Sequence, residues 1–131
     1  MVAALLALFF GTDALAQSAG DTKDVFVPIA KYIRSGDADR LSAWFDDNLE
    51  VTIFSSTNDA SRNQARQIVK SFFNTYSPRS FQINHTASRP NMKYAYGTLT
   101  AGGERLSVTI FVSCKDGKSY YIQQLKFEKR N

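Results

Sequence analysis

The chain has 131 residues, which suits a single domain around one core. Its 16 basic and 12 acidic side chains leave a net charge of +4, spread without a basic stripe or a nucleic-acid motif, so nucleic acid is not expected as a partner. A single cysteine, Cys114, excludes an intrachain disulfide, and a single histidine, His85, without clustered carboxylates argues against a metal site.

The first residues do not read as part of a domain. Val2 to Gly11 is VAALLALFFG, and Ala14-x-Ala16 is the small-residue pattern that signal peptidase reads. Residues 1–16 are therefore expected to be a signal peptide, possessing no Lys or Arg ahead of its apolar run and so truncated at its start. The expected cut precedes Gln17, leaving residues 17–131 as one exported domain, periplasmic or secreted. Once Asp13 is removed, 16 basic and 11 acidic side chains give +5. The apolar run falls short of the roughly 20 residues that span a bilayer, so stable membrane insertion is not expected.

Gln17 to Thr22 is small and polar, with Asp21 or Thr22 as helix cap. Val25, Phe26, Ile29, Ala30 and Ile33 then form one apolar stripe at helical spacing, and Ser35-Gly36 stops the helix. Pro28 falls early, roughly in the second turn, where it either moves the helix start to Val27 or costs a local kink. Asp37 caps a shorter helix whose stripe is Leu41, Trp44 and Phe45. Asp46-Asp47-Asn48 reads as a loop and Leu49 to Phe54 as a strand, with Leu49, Val51 and Ile53 on one face and Glu50, Thr52 and Phe54 on the other. Ser55 to Ala60 reads as a polar connection. Ser61 followed by Gln64 is a capping box, and Ala65, Ile68, Val69, Phe72, Phe73 and Tyr76 mark the broad face of a third helix that Pro78 closes.

From there the chain reads as sheet. Phe81, Ile83, His85 and Ala87 alternate with polar residues. Met92 to Thr100 places Tyr94, Tyr96 and Thr98 on one side. Leu106–Cys114 and Ser119–Phe127 flank Lys115-Asp116-Gly117-Lys118, a hairpin signal because Asp and Gly tolerate positive φ. In the first run Leu106, Val108, Ile110, Val112 and Cys114 form the apolar face, which makes Cys114 a buried thiol. Ser107, Thr109, Phe111 and Ser113 form the outer face. In the second run Tyr121, Gln123, Leu125 and Phe127 are one outer set, and a bulge would exchange the two. Helices first with a terminal antiparallel meander predict an α+β domain of order α-α-β-α-β-β-β-β.

Three segments carry a resemblance: Asp24–Phe54 (DVFVPIAKYIRSGDADRLSAWFDDNLEVTIF), Asn63–His85 and Met92–Leu99, completed by the hairpin Val108–Lys129. Together they resemble a family of small secreted proteins from Bacteroidetes known as the domain of unknown function DUF4783, in the nuclear-transport-factor-2-like, or cystatin-like, superfamily. The resemblance implies an α+β roll, with helices packed on a strongly bent, mainly antiparallel sheet that leaves a conical pocket. It implies no activity. The superfamily also contains isomerases and dehydratases that place an aspartate or histidine inside the cone, often beside a tyrosine.

No acid here falls mid-strand on the expected interior, which removes the general base of that chemistry. The preferred expectation is a non-enzymatic protein without a cofactor, binding a small apolar or amphipathic ligand or a protein partner. Its candidate ligand residues are His85, Tyr94, Tyr96, Tyr120 and Gln124, from a wider set that includes Tyr121 and Gln123. The alternative is an isomerase- or dehydratase-like enzyme with His85 as base and Tyr94 or Tyr96 as proton donor. A homodimer through the outer sheet face is expected, because Phe111 has no helix to cover it.

Overall fold

The computed structural model describes residues 24–130. The expected signal peptide, residues 1–16, and the expected caps Asp21 and Thr22 lie outside them. Helix α1 (Phe26–Ser35) buries Phe26, Ile29, Ala30 and Ile33, the stripe expected from spacing. Its start is tied by Asp24, whose Oδ1 accepts from the Phe26 amide at 2.9 Å. Pro28 sits in the first turn, where its missing N–H leaves no intrahelical bond unmade. Gly36 ends the helix at φ +68°, sending its amide back to the carbonyls of Ile33 and Tyr32.

Helix α2 (Ala38–Leu41) is capped by Asp37, which accepts from the Arg40 amide at 2.9 Å. It ends sooner than the stripe Leu41–Trp44–Phe45 implied. A 3-10 turn takes Ser42–Trp44, and Phe45 opens strand β1 (Phe45–Ile53) with its ring fully buried. The expected loop Asp46–Asn48 is therefore strand. The polar connection is also strand: β2 (Ser56–Ser61) pairs antiparallel with β1 from Asn48↔Ser61 to Ile53↔Ser56. Between them Phe54 takes φ +58°, an uncommon conformation for an aromatic residue. Its amide donates to the Phe127 carbonyl at 2.7 Å, and its ring meets Phe72 and Tyr76 edge-on, contacts that offset the strain.

Helix α3 (Arg62–Thr75) begins with the full capping box: Ser61 Oγ accepts from the Gln64 amide at 3.2 Å, and Gln64 Oε1 accepts from the Ser61 amide at 3.1 Å. Four strands follow: β3 (Pro78–Arg89), β4 (Met92–Ala101), β5 (Glu104–Cys114) and β6 (Tyr120–Lys129). The order is thus α-α-β-β-α-β-β-β-β, with one more strand than the sequence showed. All six strands form one sheet in the order β2-β1-β6-β5-β4-β3. Only β1 and β6 run parallel, joining the amino-terminal half to the terminal meander.

The helices cover one face of this sheet. Phe72 and Phe73 of α3 pack on Phe127 of β6, with ring centroids 4.7 and 5.9 Å apart. On the other side α1 lies against β3, where Arg34 of the helix donates to the Phe81 carbonyl. Strand β4 supplies small inner residues here. A Cβ on Gly97 would stand 2.6 Å from the Gln82 carbonyl and 2.8 Å from the Phe81 ring, so glycine is what lets β3 bend over it. Among the described residues the buried polar side chains are Ser42 and Thr52 alone, and Thr52 lies on the sheet face away from the helices. Cys114 departs from its expected burial. It lies at the strand end, half exposed, with Sγ 3.7 Å from Asp116 Oδ1, because the helices do not reach that end of the hairpin.

Candidate functional site

The outer face of the sheet has no helix over it. Strand pairing places Asp59, Glu50, Gln124, Phe111, Tyr94 and Ala87 in one row across all six strands. The neighbouring row is Thr57, Thr52, Lys126, Thr109, Tyr96 and His85. Four rings stack in series along these rows. Phe111 meets Tyr94 at 4.6 Å, Tyr94 meets Tyr96 at 6.2 Å with parallel planes, and Tyr96 meets His85 at 6.0 Å. Tyr96 is 41% exposed, and His85 beside it is exposed as well.

His85 reaches this strip through a bulge. Simple alternation puts it with Phe81 and Ile83, which pair with Leu99 and Gly97 on the inner face. The register shifts between Ile83 and His85, leaving Asn84 as the extra residue, so His85 pairs with Tyr96 and faces outward. The bulge is held by Thr98, whose hydroxyl donates to Asn84 Oδ1 at 2.9 Å. His85 is therefore not a base inside the cone.

A second bulge sorts β6. The register shifts between Val112↔Ile122 and Phe111↔Gln124, leaving Gln123 extra. Tyr121 and Gln124 face outward, while Leu125 and Phe127, one expected outer set with Tyr121, are fully buried. Of the five candidate ligand residues, His85, Tyr94, Tyr96 and Gln124 share the outer face. Tyr120 does not: it pairs with Cys114 on the inner side and lies under Lys93, whose Nζ stands 4.9 Å from its ring centre.

Beside the aromatic strip lies a cleft that spacing did not reveal. Strand β1 pairs with β6 at Phe45↔Ile122 and again at Glu50↔Gln124, so four residues of β1 stand against Gln123 alone. The strands part there. The opening, about 430 Å³, has Asn48, Glu50, Asp59, Phe111, Gln123 and Gln124 in its lining. Gln123 Nε2 donates to Asp46 Oδ2 at 2.6 Å, and Lys115 Nζ reaches the same oxygen at 2.8 Å. Partial burial pushes the Asp46 carboxyl up, but hydrogen bonds from Lys115, Gln123 and the Asp47 amide outweigh it and hold the group below its ordinary range. Glu50 and Asp59 stand directly opposite one another, and no ion pair reaches either among the described residues. The signal for this cleft was present in part, since Glu50 was legible as outward-facing; its opposite acid, Asp59, sat in a segment read as loop.

Chemically, the face offers flat rings, phenolic hydroxyls, amides and two carboxylates in shallow, open geometry. Among the described residues no three His, Cys, Asp or Glu side chains gather as metal ligands, and no helix is long and apolar enough to cross a membrane.

A bent six-stranded sheet wrapped on helices over an apolar core defines an α+β roll of the nuclear-transport-factor-2-like and cystatin-like kind. A cystatin-like domain of unknown function from Nostoc punctiforme superposes with a TM-score of 0.65 at 10% identity, covering 81% of this chain and 73% of that one. The chain belongs to the DUF4783 family, a domain of unknown function whose model matches residues 26–128. Crystal structures of DUF4783 proteins share the fold: that from Bacteroides uniformis at TM-score 0.78 and 21% identity, covering 82% of this chain and 99% of its own. The protein from Bacteroides fragilis aligns at TM-score 0.76 and 20% identity, covering 82% and 100%. No curated protein matches the sequence.

Proposed function

We propose that the protein is an exported, non-catalytic binding protein whose working surface is the outer face of its sheet, and that a second copy of the chain docks there. The observation that carries this reading is the stacked strip Phe111–Tyr94–Tyr96–His85 on a face without helical cover. Aromatic residues are enriched at protein contacts, and monomers rarely leave a contiguous set of them open to water. What favours this surface over an internal small-ligand pocket is the filling of the cone by Ile29, Ile33, Leu41, Phe45, Phe127 and their neighbours, all fully buried. A general base needs a titratable group within reach of a sheltered substrate. The one histidine is instead open to solvent against a tyrosine face.

Sedimentation equilibrium over a concentration series tests the reading. The expected result is a monomer–dimer equilibrium that Phe111→Lys shifts toward monomer, by placing a charge in the centre of the contact. Wild-type protein that stays monomeric at high micromolar concentration overturns it. Turnover of an enolisable ketone that disappears in His85→Ala would replace it with the isomerase reading.

A further inference from the structure

The outer face is divided into two unlike halves. On one side of the β6–β5 boundary stand the rings of Tyr94, Tyr96 and His85; on the other lies the cleft where β1 parts from β6, with no ion pair to Glu50 or Asp59 among the described residues. Opposed carboxylates repel across a strand pair, and each keeps its acceptor oxygens free for an incoming donor. We propose, resting on the dimer reading above, that the two copies dock about a twofold axis parallel to the strands and between β6 and β5, so that Tyr94 of each ring strip meets the Glu50 side of the other copy's cleft.

That axis carries β1 onto β4 of the second copy and β2 onto β3, because the six strands are disposed evenly about it. Glu50 then lies opposite Tyr94 of the second copy, since both occupy the same row. The phenolic O–H donates to the Glu50 carboxylate, while Gln124 lies opposite Phe111. Asp59 lies opposite Ala87, between His85 and Arg89 of the second copy. An axis running across the strands would instead lay Glu50 over Glu50 and ring over ring, leaving both clefts without a donor. The face is thus complementary to itself in one orientation, as an isologous contact requires. Its extent is adequate: with strands about 4.8 Å apart and residues about 3.3 Å apart, six strands by seven residues present roughly 500 Å² of plane per copy. The pair approaches the threshold of about 1,000 Å² for a specific interface before side-chain relief is counted.

Dissociation constants from sedimentation equilibrium for Glu50→Gln, Tyr94→Phe and the double variant decide the matter. Within one chain, two strands separate Glu50 from Tyr94, so coupling between them arises only across the interface. Each single variant is expected to weaken the dimer at least tenfold, and the double variant no further than the weaker single. In a second measurement, an E50C chain is mixed with a Y94C chain, both carrying Cys114→Ser, and treated with a short bis-maleimide, because facing sheets about 10 Å apart hold opposed residues beyond the reach of a disulfide. The expected product is a thioether-linked heterodimer that neither chain forms alone. Additive effects together with no cross-link overturn this register and leave the dimer standing. A wild type without any dimer overturns the dimer reading itself.

Discussion

Phe72 is the side chain on which the packing of α3 against the sheet most depends, and truncating it to alanine is the sharpest test of the fold. Its ring is 5% exposed and meets four others: Phe127 at 4.7 Å, Tyr76 at 5.4 Å, Phe73 at 5.8 Å and Phe54 at 5.9 Å. Burial of an aromatic side chain removes about 150 Å² or more from water, roughly 4 kcal/mol at about 25 cal/mol per Å². Measured Phe→Ala losses in cores run about 3–5 kcal/mol once the cavity is included. The ring also borders the open groove between α3 and the β1–β2 hairpin, where Ile68 and Tyr76 have room to shift inward. Partial collapse therefore favours the lower part of that range, about 3 kcal/mol. Ser61→Ala is the matched control on the same helix. It removes one cap bond and is expected to cost about 1 kcal/mol. In urea melts the Phe72→Ala midpoint should fall by roughly 2 M, given a slope of about 1–3 kcal/mol per M. A loss no larger than that of Ser61→Ala would refute the placement of α3 over β6.

Gly97→Ala should destabilise despite the usual gain from replacing glycine. The unfolded-state effect is worth at most about 1 kcal/mol. A Cβ 2.6 Å from the backbone carbonyl of Gln82 has no flexible neighbour to displace, so a net loss of about 1–3 kcal/mol is expected in the same melts. Asp46 sets a pH dependence. Its carboxyl is depressed in the folded state, so its contribution is present above the unfolded value of about 3.9 and is lost as pH falls from there through the folded value. Stability measured from pH 7 to pH 2 should therefore decline over that acid range more in wild type than in Asp46→Asn; parallel curves would exclude the group. Mass spectrometry of the protein from its host is expected to find an amino terminus at or near Gln17, and an intact residue 1–16 segment in soluble cell contents would end the export reading.

How much of this was legible in the sequence depended on whether a local rule acted alone. Ser61 and Gln64 announce α3 because a capping box needs only four consecutive residues, and both reciprocal bonds are made. The alternation of Leu106 to Val112 against Ser107 to Ser113 survives because β5 is central and regular along that stretch. Strand β2 was invisible because Ser56–Ser61 has little intrinsic preference for strand. It is extended because β1 supplies a partner, and its polar composition suits an exposed edge. His85 and the pair Leu125–Phe127 were assigned by a strict period of two, which a single extra residue reverses. Nothing in Asn84 or Gln123 marks a bulge locally; the bonds from Thr98 to Asn84 and from Gln123 to Asp46 are made with residues distant in sequence.

Those bulges connect the fold to its proposed use. A bent sheet must break its alternation somewhere, and each break moves a side chain from one face to the other. At Asn84 the shift takes a histidine out of the core and sets it beside Tyr96. At Gln123 it turns Leu125 and Phe127 inward, where Phe127 receives Phe72, and leaves Tyr121 and Gln124 outside. Both exchanges act in the same direction: hydrocarbon is gathered under the helices, and the groups that can hydrogen-bond or stack are gathered on the uncovered face. An enzyme built on the same roll would require the opposite, a polar group kept inside at the cost of its desolvation. With an interior this apolar, small changes inside alter stability, whereas changes to Glu50, Tyr94 or Phe111 alter what the outer face can hold. The two sets can therefore be varied independently, and melts and association measurements on the same variants should separate them.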